Sequence, residues 1–246
     1  MALLRPSARW RIRFLLAAAI GLAAPPSQAQ PALRIMLNDV APYTLHAEAA
    51  LYGMHHEILA LLAERTGLSF APLVGPYVRL SASLSDGSVD GVVAVEGPDF
   101  DVLGRRVAAF HDFRFVVLSK KSAAIGNVAA LRGKLLGVAR GAFYAESINN
   151  DPEIRKFTMV DPFQGVRMLA LDRIDAVISS DYLLAHAMRQ SSVAASDFAP
   201  PFVVNEKRYT LYVRKTLGED LVLRLQSALE ALRASGRIAE VQNRYR

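Results

Sequence analysis

The order of apolar runs along this chain constrains its fold more than any other feature. Short strand-like stretches alternate with helical patterns in two series, separated by one break. In the first series, residues 33–37 (LRIML) read as a strand and 38–50 as a loop. Residues 53–66 set Ile58, Leu59, Leu61 and Leu62 on one side at helical spacing, and Gly67 is a natural stop. Residues 68–74 form a second strand, 77–84 a short helix carrying Leu80 and Leu84, and 89–95 (VDGVVAV) a buried strand. Strand–helix–strand–helix–strand is one half of an open parallel sheet.

The stretch 96–104 holds Gly, Pro and three acids and has no clear period. Residues 113–119 (FRFVVLS) are then a strand leading into a polar segment, 120–127. The alternation restarts with strand 135–139, helix 143–149, strand 157–160, helix 163–171, strand 176–178 and helix 182–189. A last strand, 209–214 (YTLYVR), precedes helices 217–234 and 237–244. Two small α/β units in succession leave a cleft at their junction, where small ligands bind.

The first residues read as an address rather than as fold. Arg5, Arg9, Arg11 and Arg13 precede an apolar run, 14–24, then Pro25, Pro26 and the small-x-small triplet Ser27-Gln28-Ala29. That is the pattern of a cleaved secretory signal peptide over residues 1–29, and the run is too short for the ~20 apolar residues of a membrane span. Formal net charge is +6, but four basic residues fall in this leader and leave only +2 for the remainder. The basic pI therefore gives no reason to expect a nucleic-acid partner. Cysteine is absent, which removes disulfides, thiol chemistry and a lipid anchor on a leader cysteine. The expected location is the periplasm.

Five segments carry a family resemblance. They are LRIML followed by Pro42-Tyr43 and by Gly53 with Glu57-Ile58-Leu59; Tyr77-Val78-Arg79-Leu80 with Leu84 and Asp86-Gly87-Ser88-Val89-Asp90; Leu131-Arg132-Gly133-Lys134-Leu135-Leu136-Gly137-Val138; Leu171-Asp172-Arg173-Ile174-Asp175-Ala176-Val177-Ile178 with Asp181 beyond; and Leu232-Arg233-Ala234-Ser235-Gly236-Arg237-Ile238. In this order and behind such a leader, the chain from about Leu33 to Tyr245 resembles the family 3 bacterial extracellular solute-binding proteins. The resemblance implies a two-lobed α/β fold of the periplasmic-binding-protein type II, two open α/β sheets joined by hinge strands. Lobe 1 is expected over 30–116 plus 215–246 and lobe 2 over 117–214. It also implies a monomer without cofactor that closes on a small polar ligand, an amino acid or a relative, and presents itself to an inner-membrane ABC permease.

Within that frame Asp181, at the carboxyl end of a buried strand, is the expected partner of a ligand ammonium, with helix N-capping as its other reading. Arg140, Gly141 and Ala142 are expected to hold a carboxylate through backbone N–H groups at a helix start, aided by the guanidinium. Ala142 stands where most relatives carry a hydroxyl. Tyr43 and Tyr77 could lay aromatic faces on the ligand, or pack at a loop base. The first lobe departs from the resemblance: after the strand ending at Val95 the chain reads Glu96-Gly97-Pro98-Asp99-Phe100-Asp101. The hydroxyl residue and carboxylate-clamping arginine usual there are missing. Arg105 and Arg106 come later, and Glu96 would favour a cationic or polyhydroxylated group.

His55 and His56 are neighbours about 100° apart on a helix, and His46, His111 and His186 are scattered, so no metal site is expected. Two other functions remain open. One is a cyclohexadienyl-dehydratase-like enzyme, for which Glu96, Asp181 or a histidine could be nominated as general acid. The other is a sensor that presents its closed form to a receptor.

Overall fold

The computed structural model describes residues 31–47, 50–123 and 125–246, and the expected leader lies outside them. Strand β1 (Leu33–Asn38) opens the chain, followed by a short hairpin, β2 (Leu45–Ala47) and β3 (Ala50–Tyr52). Helix α1 (Met54–Thr66) begins after Gly53, whose φ of 112° suits glycine alone, and an added Cβ there would meet the Tyr43 carbonyl oxygen at 2.8 Å. The left-handed Gly67 ends the helix and donates its N–H to the Ala63 carbonyl. Then come β4 (Phe70–Gly75), α2 (Leu80–Ser85), β5 (Gly91–Val95) and α3 (Pro98–Leu103), the last filling the stretch where the sequence shows no period.

Strand β6 (Gly104–Ser119) is much longer than the apolar run 113–119 suggests. Arg105, Arg106, His111 and Asp112 interrupt hydrophobicity without interrupting the ladder. The second series follows as β7 (Leu135–Ala139), α4 (Glu146–Asn149), β8 (Arg155–Met159), α5 (Pro162–Ala170), β9 (Ala176–Ser180) and α6 (Asp181–Gln190). Strand β10 (Phe202–Arg214) is again longer than expected, and α7 (Glu219–Ala234) and α8 (Arg237–Arg244) close the chain.

The expected pair of sheets is one continuous sheet of eight strands in the order β4-β1-β5-β10-β6-β9-β7-β8. Its two ends are parallel, β4-β1-β5 and β9-β7-β8, and each builds one lobe. Antiparallel β6 and β10 pair from Gly104↔Arg214 to Val117↔Phe202 and run through both lobes. The ladder shifts register at Val203/Asn205 and at Tyr209/Thr210, on either side of the crossing point; such bulges bend and twist a ribbon.

Four apolar cores flank the sheet. In the first lobe, Ile35, Leu37, Ile58, Leu62, Leu225 and Leu229 pack with α1, α7 and α8 on one face, and Leu80, Leu84, Val92 and Phe100 cover the other. In the second lobe, Val166, Leu169, Val177 and Leu184 occupy one face and Leu131, Leu136, Ile148 and Ile178 the other. The start of α6 crosses over. Tyr182, on the first turn of α6, belongs to the first-lobe core.

Candidate functional site

Strand β5 runs antiparallel to β10, with Gly91 opposite Val213 and Val95 opposite Tyr209. Strand β9 runs antiparallel to β6, with Ala176 opposite Ser119 and Ser180 opposite Phe115. The carboxyl ends of β5 and β9 therefore approach, from opposite sides, the stretch of ladder between Tyr209↔His111 and Asn205↔Phe115. In open α/β sheets the carboxyl ends of the strands are where ligands bind. This junction is the candidate site.

Tyr43 crosses it. The side chain is fully buried and its hydroxyl hydrogen-bonds the Ser180 hydroxyl at 2.7 Å, joining the loop after β1 to the end of β9. Burial pushes the phenol well above its usual pKa, so it remains a neutral hydrogen-bonding group. Ser180 also caps α6 by accepting from the Leu183 N–H at 3.2 Å. Sequence reasoning missed Ser180; the available signal was a hydroxyl residue immediately ahead of a helical pattern. Beyond it, the Tyr182 hydroxyl accepts from Gln242 (3.1 Å) and Arg246 (3.2 Å), and Arg189 donates to the Tyr245 and Arg246 carbonyls. The start and end of α6 are thus tied to the C-terminal segment of the chain.

Behind Tyr43 lies a second feature the sequence did not reveal. His55 stacks on Tyr43 with centroids 4.6 Å apart and planes 5° apart, and its Nε2 lies 2.8 Å from Nε2 of His111. Both imidazoles are wholly buried. Burial and the neighbouring His111 hold His55 well below the ordinary histidine pKa, and burial lowers His111 to about 4 despite an opposing hydrogen bond to the Asp112 carbonyl. Tyr209 packs on both rings. The expectation that His111 stands apart is overturned: a helix of the first lobe and a hinge strand bring His55 and His111 together, while His56 points elsewhere.

Asp181 is already engaged. Its carboxylate accepts from the Arg114 backbone N–H at 3.2 Å and from Arg114 Nε at 3.1 Å, and one oxygen also takes the Tyr182 N–H at 3.1 Å. The helix cap is Ser180, not Asp181.

No protein-family model matches the chain, and no curated protein is similar to it in sequence. Solved structures do match. An ancestral arginine-binding protein bound to arginine superposes with a TM-score of 0.72 at 17% identity, over 88% of this chain and 99% of that one. A histidine kinase sensor domain with similarity to periplasmic binding proteins gives 0.75 at 16% identity, over 88% and 96%. The VFT2 domain of Bordetella pertussis BvgS, a double mutant, gives 0.74 at 19% identity, over 88% and 94%. The chain has the two-lobed periplasmic-binding-protein fold.

In this periplasmic-binding-protein fold the remaining candidate residues distribute unevenly. Glu96 sits at the carboxyl end of β5, at the junction, with its carboxylate held by Arg208 (3.2 Å) and Arg106 (3.4 Å). Arg106 in turn grips Asp101 at 2.8 Å, and Asp101 accepts from the Tyr212 hydroxyl. Tyr77 is half-buried and accepts the Val95 N–H at 3.3 Å, so it closes the end of β5; burial pushes its phenol to about 12. Arg105 stands apart from the junction. It lies opposite Val213, at the start of β5 rather than its end, and pairs with Glu219 on α7.

Arg140 and Gly141 are exposed just beyond β7, and Gly141 turns the chain with φ 71°. The expected helix start there is absent: α4 begins at Glu146 and spans four residues. The Asn149 side chain accepts the Tyr144 and Ala145 N–H groups, and the Ala142 N–H goes to the Ala139 carbonyl. Of the three N–H groups of 141–143, that of Ala142 is thus engaged within the turn, and the side-chain acceptor Asn149 serves the two N–H groups that follow. Among the described residues no group of three or more His, Cys, Asp or Glu is placed to hold a metal. No described helix is long and apolar enough to cross a membrane.

Proposed function

We propose that this protein binds a small polar solute, an amino acid or a related compound, between its lobes. The observation that carries the reading is the convergence of β5 and β9 carboxyl ends on one stretch of β6 and β10, with Tyr77, Glu96, Arg208 and Arg114 around it. The lobes divide near residues 116 and 214, and the paired hinge strands are the flexing element. An exported monomer handing its ligand to an inner-membrane ABC permease is the setting this favours. The arginine bound in one similar structure supports a polar, charged ligand.

Sensing is the second reading, supported by the sensor domains among the similar structures and by the protein's own ties across the junction. The dehydratase reading gains nothing, since both carboxylates nominated as its acid are held by arginines.

The deciding experiment is a thermal-shift screen against amino acids, polyamines, sugars and organic acids, followed by calorimetry. A true ligand at about 100 times its Kd adds ~2.7 kcal/mol, a shift of a few degrees in Tm. Binding at low salt that Glu96→Gln or Arg208→Ala weakens at least tenfold supports the interlobe site. Absence of any ligand across these classes overturns the solute-binding reading.

A further inference from the structure

The described molecule holds a buried titratable pair that solute binding does not require. The hydrogen bonds around it fix its protonation. Nδ1 of His111 faces the Asp112 carbonyl at 3.1 Å, and a carbonyl only accepts, so Nδ1 of His111 carries the proton. A neutral His111 then has a bare Nε2, which accepts from Nε2–H of His55 across 2.8 Å. That leaves Nδ1 of His55 bare, buried and without a partner. A further proton has no acceptable position. On His111 it would drive the His55 proton from Nε2 to Nδ1, and on His55 it would sit on Nδ1 directly; either way a buried charge appears and the Nδ1–H of His55 has nothing to receive it.

The groups facing the pair offer no counter-charge that is not already paired. Tyr43, Tyr209 and Tyr182 surround it as neutral phenols, with Phe110 and Phe113 beside them. The Asp112 carboxylate on β6 is taken by Arg233 of α7 at 2.6 Å, and Gln242 of α8 occupies the Asp112 carbonyl. On α6, Asp181 is held by Arg114, and the Arg246 guanidinium lies 5.7 Å from the Tyr182 ring. Of the charges acting on His111, Asp112 favours protonation and Arg233 opposes it, and burial outweighs Asp112.

Two parts of this enclosure come from the second lobe. Tyr182 packs edge-on against His111 with centroids 5.9 Å apart, and Ser180 holds the hydroxyl of the tyrosine stacked on His55. Withdrawal of these second-lobe groups uncovers the side of the pair that they cover. We propose that the His55–His111 pair makes lobe closure conditional on pH, with the neutral pair permitting the Tyr43–Ser180 latch and protonation releasing it. This rests on the lobe movement invoked for solute binding, but it concerns the protein without ligand.

The direction follows from linkage. In the open form the imidazoles are hydrated and titrate near the ordinary ~6.5, whereas the closed form resists protonation until His111 titrates at about 4. Above ~6.5 both forms are neutral and closure is independent of pH. Below it the open form takes up protons that the closed form refuses, so each pH unit shifts the balance toward open by up to ~10-fold per histidine and ~100-fold for the pair.

Small-angle scattering of the ligand-free protein from pH 8 to pH 5, at constant ionic strength, tests this. The expected result is a constant radius of gyration down to about 6.5 and expansion below, with a shallower expansion in His111→Gln, up to ~10-fold rather than ~100-fold in the open-to-closed ratio per pH unit. Ser180→Ala, which spares both imidazoles, should move the expansion to higher pH. A radius unchanged between pH 8 and 5, or the same expansion in His111→Gln, overturns the proposal. Should that variant not fold, the histidine side-chain NMR of the unaltered protein decides. The proposal requires two imidazoles that hold the assigned tautomers above pH ~6.5 and take up protons only as the radius expands, and two that titrate while the radius stays constant sink it. Because no ligand is present, failure of the solute screen and failure of this experiment are separate outcomes.

Discussion

Asp90 illustrates how one side chain holds three strands in register. Nearly buried just ahead of β5, it accepts from the backbone N–H and the guanidinium of Arg34 on β1 and pairs with Arg214 at the end of β10. Burial alone would raise its pKa, but the Arg34 hydrogen bonds and the two positive charges outweigh that and hold it below the usual value. A carboxylate depressed in the folded state stabilises the fold above its unfolded pKa of ~3.9, and that contribution is lost as pH falls through the folded value. Asp90→Ala should therefore cost roughly 1–3 kcal/mol in urea denaturation at pH 7, and the deficit should shrink toward pH 3. A variant as stable as the parent at pH 7 would mean the arginines are equally well served by water. The sequence marked Asp90 within a motif but gave no sign of its partners. Tyr43 was legible as an aromatic at a loop base, yet Ser180 lies 137 positions away, and pairing at that range leaves no local trace.

Among the elements, the helices and parallel strands were largely visible, because burial on one face imposes a period. The ladder of β6 and β10 was not, because each strand changes surroundings midway. Phe110, Phe113 and Val117 are buried in it, while Arg106, Asp112 and Arg114 emerge to make ion pairs, so no single alternation persists. Close approach also left no pattern. Gly91 begins β5 where an added Cβ would come within 2.7 Å of the Tyr212 carbonyl oxygen and 3.0 Å of Ile35. Gly91→Ala should destabilise by about 1–3 kcal/mol through forced separation of β5 from β10, seen as a lower Tm of the purified protein. In α7, Leu225 is wholly buried, and Leu225→Ala should cost about 2–5 kcal/mol, with loss of amide-exchange protection in α1 as well as α7.

At the scale of the whole molecule, the sequence led to an expectation of two consecutive lobes with the C-terminal helices on the first. What the sequence could not disclose is how α6 joins the lobes, since Tyr182 sits in an ordinary amphipathic helix and only the tertiary arrangement places it in the first-lobe core. The same core explains the order in which the chain can become native. It combines Leu33, Ile35 and Leu37 with Leu225, Leu229, Ile238 and Val241, so β1 waits for α7 and α8, which are made after the whole second lobe. The second lobe has no such debt: its strands β7, β8 and β9 and helices α5 and α6 are contiguous. Pulse-labelled hydrogen exchange should find β7–β9 protected early and β1 and α7 together and late, and early protection of β1 would contradict this. A first lobe built this way stays open along the chain until β1 and α7 can meet, so a second lobe already folded between them is no obstacle to its completion.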